Sequence, residues 1–360
     1  MRRIFILLVS VAALSSCKKS SSSGETSTST TTGSTTATAP ATLNCTGTVV
    51  EQIVCASGTF IASLSTAQQA SAVLPYSAAD AVKWSNLPCG ATCRVGVQLS
   101  TLTTAQLAYA KAVIKAAMGT TTGTGYDQAM QILAADDVLG ALRAGYSSGI
   151  YFISFLGTPS STGTWQLQFG GHHLAVNLTF KAGAVVGASP FFIGVEPKTW
   201  TTGTTVYTPL KANQANMAAM LASFSTTQLA TARLSSTFSD VLLGPGADGK
   251  FPATKVGIRA SMLSTDQKAL VLAAIKQWVQ NVDDATAASL LATYNTEMDN
   301  TYIAYSGNST LATNADYVRI DGPSVWIEFV CQSGVVYTSE IHYHSIYRDH
   351  TRDYGGSFTF

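Results

Sequence analysis

Four times along the chain an apolar residue precedes Ser or Thr, and Gln stands three positions after that cap. The four are Leu64-Ser65-Thr66-Ala67-Gln68, Leu102-Thr103-Thr104-Ala105-Gln106, Phe224-Ser225-Thr226-Thr227-Gln228 and Leu263-Ser264-Thr265-Asp266-Gln267. Each is a capping box: the hydroxyl caps the first turn, the Gln reaches back, and the apolar residue packs as a staple. Each therefore predicts a helix start. After Thr103, the residues Leu107, Ala110, Ile114 and Met118 recur at helical spacing until Gly119. After Ser264, Leu270, Ala274 and Trp278 do the same. Further helices are expected from about Asp127 and about Asp284. Each helical group gives way to an aromatic, β-branched stretch, at 150–155 and 302–305, ended by Gly157 or Gly307. A polar loop and a longer strand follow each, at 165–180 and 317–331.

The spacing carries more than the boxes do. Ser65 to Thr103 is 38 positions and Ser225 to Ser264 is 39. At an offset of 151, Gly171 falls on Gly322, Leu174 on Val325 and Val176 on Ile327. The pattern reads as an internal duplication, helices then strands, twice. It predicts an α+β fold of two related halves, 45–200 and 201–360, sharing a mostly antiparallel sheet covered by helices.

The segment before these halves reads as an address. Arg2 and Arg3 precede an apolar run of about ten residues, too short to span a membrane and right for a signal peptide. The run ends in Leu14-Ser15-Ser16-Cys17, which resembles the bacterial lipoprotein processing box. That resemblance implies a signal peptide over 1–16 and acylation of Cys17. The expected location is the bacterial cell envelope, extracytoplasmic, with the membrane engaged through Cys17. Residues 17–44 are nearly all Ser, Thr, Gly and Ala, so they predict a disordered tether.

Composition agrees with export. Charged residues are 11% of the chain, against roughly 25% in typical soluble proteins, and the net charge is +1. That balance excludes a polybasic nucleic-acid binder. In an exported chain, cysteines close in sequence are natural disulfide partners, here Cys45–Cys55 and Cys89–Cys93, leaving Cys331 free and buried.

All five histidines fall in two short segments. His172 and His173 follow Gly170-Gly171, and His342, His344 and His350 lie between Glu340 and His350. On a strand, residues i and i+2 face one side, so His342 and His344 point together, with Glu340 beside them. His172 and His173 would face opposite sides of their strand, so one of the two is a direct ligand. Glu328 is a carboxylate in an apolar strand, and it either has a partner or ligates. His-x-His, one histidine of the first half and Glu328 would suit a transition-metal ion: zinc, copper or iron. The competing reading is structural, with the histidines bonded to Asp321, Asp349 or Asp353. Arg348 and Arg352 either bind an anionic or polar substrate or pair with Asp349 and Asp353, pairing being the simpler choice.

Taken together, Gly171-His172-His173-Leu174, the turn Ile320-Asp321-Gly322-Pro323 with Glu328, and His342-Tyr343-His344 through Arg348-Asp349 to Asp353-Tyr354-Gly355 resemble the family catalogued as domain of unknown function 3500. The resemblance covers about residues 60 to 356. The chain departs from the family pattern at Gly170, usually acidic, and at His350, usually Pro. The family implies the extent of the fold and the histidine clusters, and no activity.

Gly145-Tyr146-Ser147-Ser148-Gly149 has the form of a nucleophile elbow, but a helix precedes and a strand follows, the reverse of what that motif needs. Trp165, Trp200 and Trp326 read as core. The chain is thus expected to be an envelope metal-binding lipoprotein, with Glu328, Arg348 and Asp349 as candidate catalytic residues of a hydrolase or oxidase. The alternative is a non-catalytic lipoprotein that binds a small molecule or glycan.

Overall fold

A computed structural model describes residues 34–360, and all four capping boxes open helices there. The signal peptide over 1–16, Cys17 and most of the tether lie outside the described residues. The helices are α1 (Val49–Ser63), α2 (Thr66–Ala72), α3 (Ala78–Ala81), α4 (Thr104–Ala117), α5 (Gly125–Gly140), α6 (Lys211–Ala222), α7 (Thr226–Ala232), α8 (Thr265–Val279) and α9 (Asp284–Thr296). The regular spacing of the boxes has a contact behind it. The Gln106 amide donates to Gln68 Oε1 (3.2 Å) and to the Ser63 carbonyl (2.8 Å). The Gln267 amide donates to Gln228 Oε1 (2.9 Å) and to the Ser223 carbonyl (2.7 Å). In each half the two helix N-termini are therefore tied through their N3 glutamines. Three helices escaped the pattern: α1, which has its own box at Thr48 and Glu51, the short α3, capped by Ser77, and α6, which has no side-chain cap.

Nine strands precede α6: β1 (Val73–Leu74), β2 (Val97–Gln98), β3 (Phe152–Leu156), β4 (Thr164–Gly171), β5 (Leu174–Lys181), β6 (Ala184–Gly187), β7 (Phe191–Val195), β8 (Trp200–Thr202) and β9 (Thr205–Tyr207). Five follow α7: β10 (Ile258–Arg259), β11 (Tyr302–Ser306), β12 (Tyr317–Asp321), β13 (Val325–Ser333) and β14 (Ile341–Asp349). Twelve of them make one sheet in the order β1-β3-β4-β5-β7-β14-β13-β12-β11-β10, with β2 on β3 and β6 on β5. Its pairings are antiparallel except β1 with β3. The two halves meet where β7 pairs β14. The expected boundary after residue 200 falls inside β8, and both halves belong to one compact unit.

Two expected strands are hairpins. The stretch 165–180 turns at His172 and His173, and 317–331 turns between Asp321 and Val325. Helices cover one face of the sheet, where Phe155, Phe169, Ile193, Ile327, Phe329 and Tyr347 pack with α1, α4, α5 and α8. On the other face lie Ala175, Phe192 and Ile346 under Trp84 and Tyr354, with buried Gln168, Asn177, Glu328 and Arg348 among them. Side-chain alternation along β14 puts His342, His344, Ile346 and Arg348 on this second face.

The last residues of the expected tether are not free. Thr35 is buried, and its N–H donates to Ser148 Oγ at 2.7 Å. The Lys111 ammonium, itself buried, donates to the carbonyls of Thr35 (2.8 Å) and Thr38 (2.6 Å). The Ser34 and Thr36 hydroxyls donate to Asp137. A buried ammonium needs acceptors, and these backbone carbonyls supply them. No helix among the described residues is long and apolar enough to cross a membrane.

Candidate metal centre

The two-residue period of β14 brings the His342 and His344 rings together, with their Nε2 atoms 3.3 Å apart. Across the sheet, His344 is in register with Gly194 of β7. A Cβ on Gly194 would lie 2.9 Å from His173 Cδ2 and 3.0 Å from His344 Cδ2. Only glycine leaves room for both imidazoles there.

His173 arrives from the other half. It is the second residue of the β4–β5 turn, not a strand residue, so the expected division of His172 and His173 between strand faces does not apply. Its φ is +61°, uncommon for a residue with a side chain. Tertiary contacts hold it there: its N–H donates to the Asn86 carbonyl (3.1 Å), and its carbonyl accepts from Gly194 N–H (2.8 Å). The turn places His173 Nε2 3.0 Å from His344 Nε2. Ligand nitrogens of His173, His342 and His344 all lie within 4.8 Å of one another. The three residues are 2%, 2% and 6% exposed.

Burial keeps His173 and His342 uncharged. Burial first, and then the neighbouring imidazoles, push His342 down to about 3 and His173 well below the usual histidine range. Both are neutral at pH 7, so their ring lone pairs can be used for coordination. His344 Nδ1 lies 3.0 Å from an Asp240 oxygen. A carboxylate there fixes the tautomer and leaves the His344 Nε2 lone pair facing the other rings. Burial pushes Asp240 up, but its bond to His344 and that ring's charge outweigh burial and leave it below the usual carboxylate range. The Asp240 side chain is 46% exposed, so the cluster approaches the surface on this side.

His172 turns away to a different partner. Its Nδ1 is 2.7 Å from an Asp136 oxygen on α5, and its ring lies tilted against His173 with centroids 3.7 Å apart. Burial raises the Asp136 pKa, opposed by His172. Asp136, His172 and His173 form a second group with ligand atoms within 4.8 Å.

The other candidates are elsewhere. Glu328 accepts four hydrogen bonds, from Leu242 N–H, Leu243 N–H, Trp326 Nε1–H and the Tyr317 hydroxyl. It pins the loop that carries Asp240 and is not in the group formed by the three histidines. Arg348 is fully buried, bonded to Asp353 (2.8 Å), Asp248 (3.0 Å) and the carbonyls of Leu243 and Gly244. Four of its five N–H donors are thereby used, inside the protein. Asp349 accepts from Thr351, Arg352 and the Tyr294 hydroxyl. The pairing reading of this segment is the observed one, as Arg348–Asp353 and Arg352–Asp349. His350 bonds Asp321 (3.1 Å) and stacks on Phe251, outside the cluster. Glu340 is exposed and lies 3.7 Å from Lys198. Ser147 caps a short 3-10 turn. Trp165 and Trp326 are fully buried. Both expected disulfides, Cys45–Cys55 and Cys89–Cys93, are present, and Cys331 is free and buried.

Sequence reasoning missed Asp136, Asp240 and Asn86. No local spacing relates any of them to the histidines; each arrives through tertiary structure. No curated protein and no solved structure matches the chain. A family model described as "Protein of unknown function (DUF3500)" matches residues 46–356, most of the chain. The segments that frame the cluster, from the Asn86 loop through the His173 turn to β14, all fall inside that match, and the chain belongs to this family.

Proposed function

We propose that the protein binds one first-row transition-metal ion between His173, His342 and His344, with Asp240 orienting His344. One observation carries the reading: three buried imidazoles converge from both halves of the chain, with Nε2 separations of 3.0 and 3.3 Å. Tetrahedral coordination at a metal–nitrogen distance of about 2.0–2.1 Å sets ligand nitrogens about 3.3 Å apart, which these separations match. An all-imidazole donor set suits zinc, copper or iron and disfavours magnesium or calcium. Burial of the rings favours holding an ion over turning over a bulky substrate, so the hydrolase or oxidase reading ranks below a binding role.

A second reading has its own support. Among the described residues His173 Nδ1 is buried without a hydrogen-bond partner, whereas metal-ligating imidazoles usually anchor their second nitrogen. In that reading the rings are a neutral structural pin. Metal analysis of the purified full chain separates the two. The proposal expects about one equivalent of metal, lost in the His342→Ala, His344→Ala double variant with the fold kept. No metal after reconstitution with zinc, copper and iron would overturn it.

We further propose that the chain is an exported lipoprotein acylated at Cys17, on the strength of the residues around Leu14 to Cys17. Incorporation of labelled palmitate, lost on Cys17→Ala, tests this. The equivalent glutamine bonds of the two halves support their origin by duplication.

A further inference from the structure

The strained turn that presents His173 is held by a loop built around a buried cation. Asn86, whose carbonyl accepts the His173 N–H, sits between Ser85 and Leu87, and the carbonyls of those two neighbours both accept from Arg94 Nη2, at 2.7 and 2.6 Å. Arg94 Nη1 lies 3.6 Å from each sulfur of the Cys89–Cys93 disulfide and 3.3 Å from the Gly90 carbonyl. Arg94 is 8% exposed and has no carboxylate partner among the described residues. Burial pushes its pKa down to about 10. A guanidinium held by carbonyl dipoles alone needs several of them fixed at once. The disulfide does that by closing the loop immediately before Arg94.

We propose that the Cys89–Cys93 disulfide controls the metal site of the preceding section, so that its reduction releases the ion by freeing His173. This rests on the metal-binding reading. A dithiol reductant donates two electrons and two protons: one S–S bond breaks, two cysteine thiols form, and the reductant leaves as a disulfide. The two sulfurs then separate to van der Waals distance. The cradle around Arg94 opens, the Asn86 carbonyl loses its aim, and the His173 N–H loses its acceptor. Of the two backbone bonds that hold the positive φ, only the one from Gly194 N–H to the His173 carbonyl is left, so the turn loosens and His173 Nε2 leaves the cluster.

The test uses the full chain with Cys89→Ser and Cys93→Ser, because a reductant would also attack Cys45–Cys55 and bind metal itself. Affinity for zinc and cobalt is measured by competition with a chromophoric chelator. Amide hydrogen exchange of the segment spanning residues 170–176 is followed in metal-free protein. The proposal expects at least tenfold weaker binding and at least tenfold faster exchange at His173, with far-UV circular dichroism unchanged. Arg94→Met, which leaves the carbonyls of Ser85 and Leu87 without their shared donor, is expected to change both in the same direction if the double variant fails to fold. Unchanged affinity and exchange in either folded variant would overturn the proposal. Wild-type protein that binds no metal would instead sink the metal-binding reading, and faster exchange alone would then leave the disulfide as a clamp on the turn.

Discussion

Glu328 is the sharpest place to test which residues support the proposed centre and which would ligate. Its side chain is fully buried. Oε1 accepts from Leu243 N–H (2.9 Å) and Trp326 Nε1–H (2.8 Å); Oε2 accepts from Leu242 N–H (2.6 Å) and the Tyr317 hydroxyl (2.8 Å). Burial pushes the carboxyl pKa up, and these four donors pull against it. Glu328→Gln keeps the size and one accepting oxygen. With the amide oxygen at the Oε1 position, its NH2 faces Leu242 N–H and the Tyr317 hydroxyl. The hydroxyl can rotate and accept, but the backbone amide cannot. One buried N–H then faces another donor, which costs about 1–3 kcal/mol. The surviving bonds also lose charge assistance, so the total is roughly 2–4 kcal/mol. Urea unfolding followed by tryptophan fluorescence should read this as a lower midpoint at unchanged slope. Metal affinity should fall only a few-fold, because the orphaned amide lies two residues beyond Asp240. A wild-type midpoint with metal binding abolished would refute the reasoning and return Glu328 to the ligands.

Three more predictions follow from single contacts. Gly194→Ala sets a methyl 2.9 Å from His173 Cδ2 and 3.0 Å from His344 Cδ2, and should cost about 1–3 kcal/mol in urea unfolding and weaken metal binding at least tenfold; an unchanged site would mean the rings need not sit this close. Cys331, buried and pushed up to about 12, should resist iodoacetamide at pH 8 in the native protein and react fully once unfolded, as mass spectrometry will read. Lys111→Met removes the ammonium that gathers the carbonyls of residues 35–38, so limited proteolysis within residues 34–44 should speed up several-fold without loss of the core.

What could be read from the chain depended on the range of the interaction. The capping boxes are closed within four residues, and every helix they announced is present. His342 and His344 share a face because strand alternation is equally local. The β4–β5 turn was different. Gly171 and Gly170 precede it, yet the residue with positive φ is His173, and what holds it there comes from Asn86, far upstream, and Gly194, on another strand. A glycine-free turn stabilised from outside leaves no mark in its own sequence. Glu328 shows the same limit. A carboxylate in an apolar strand signalled a partner, but two of its four partners are the backbone amides of Leu242 and Leu243, which no residue type encodes.

The charges bear on how the centre relates to folding. The chain has few of them, and many are buried on the sheet face that carries the histidines. Arg348 with Asp248 and Asp353, Glu328 with the Leu242 and Leu243 amides, and Arg94 with the carbonyls of Ser85 and Leu87 each fix a loop over that face. Each is held by protein groups, Arg94 through its two Nη atoms. The loops that aim Asp240 and Asn86 therefore do not need an ion to settle. This differs from a small zinc domain, where metal supplies the folding energy. The full chain stripped with a chelator should keep its far-UV circular dichroism and cooperative unfolding. Added metal should raise stability only as binding to a formed site does, by about 2.7 kcal/mol when free ion is a hundred times Kd. Loss of cooperative unfolding on stripping would mean that the ion, not the buried charges, organises this face.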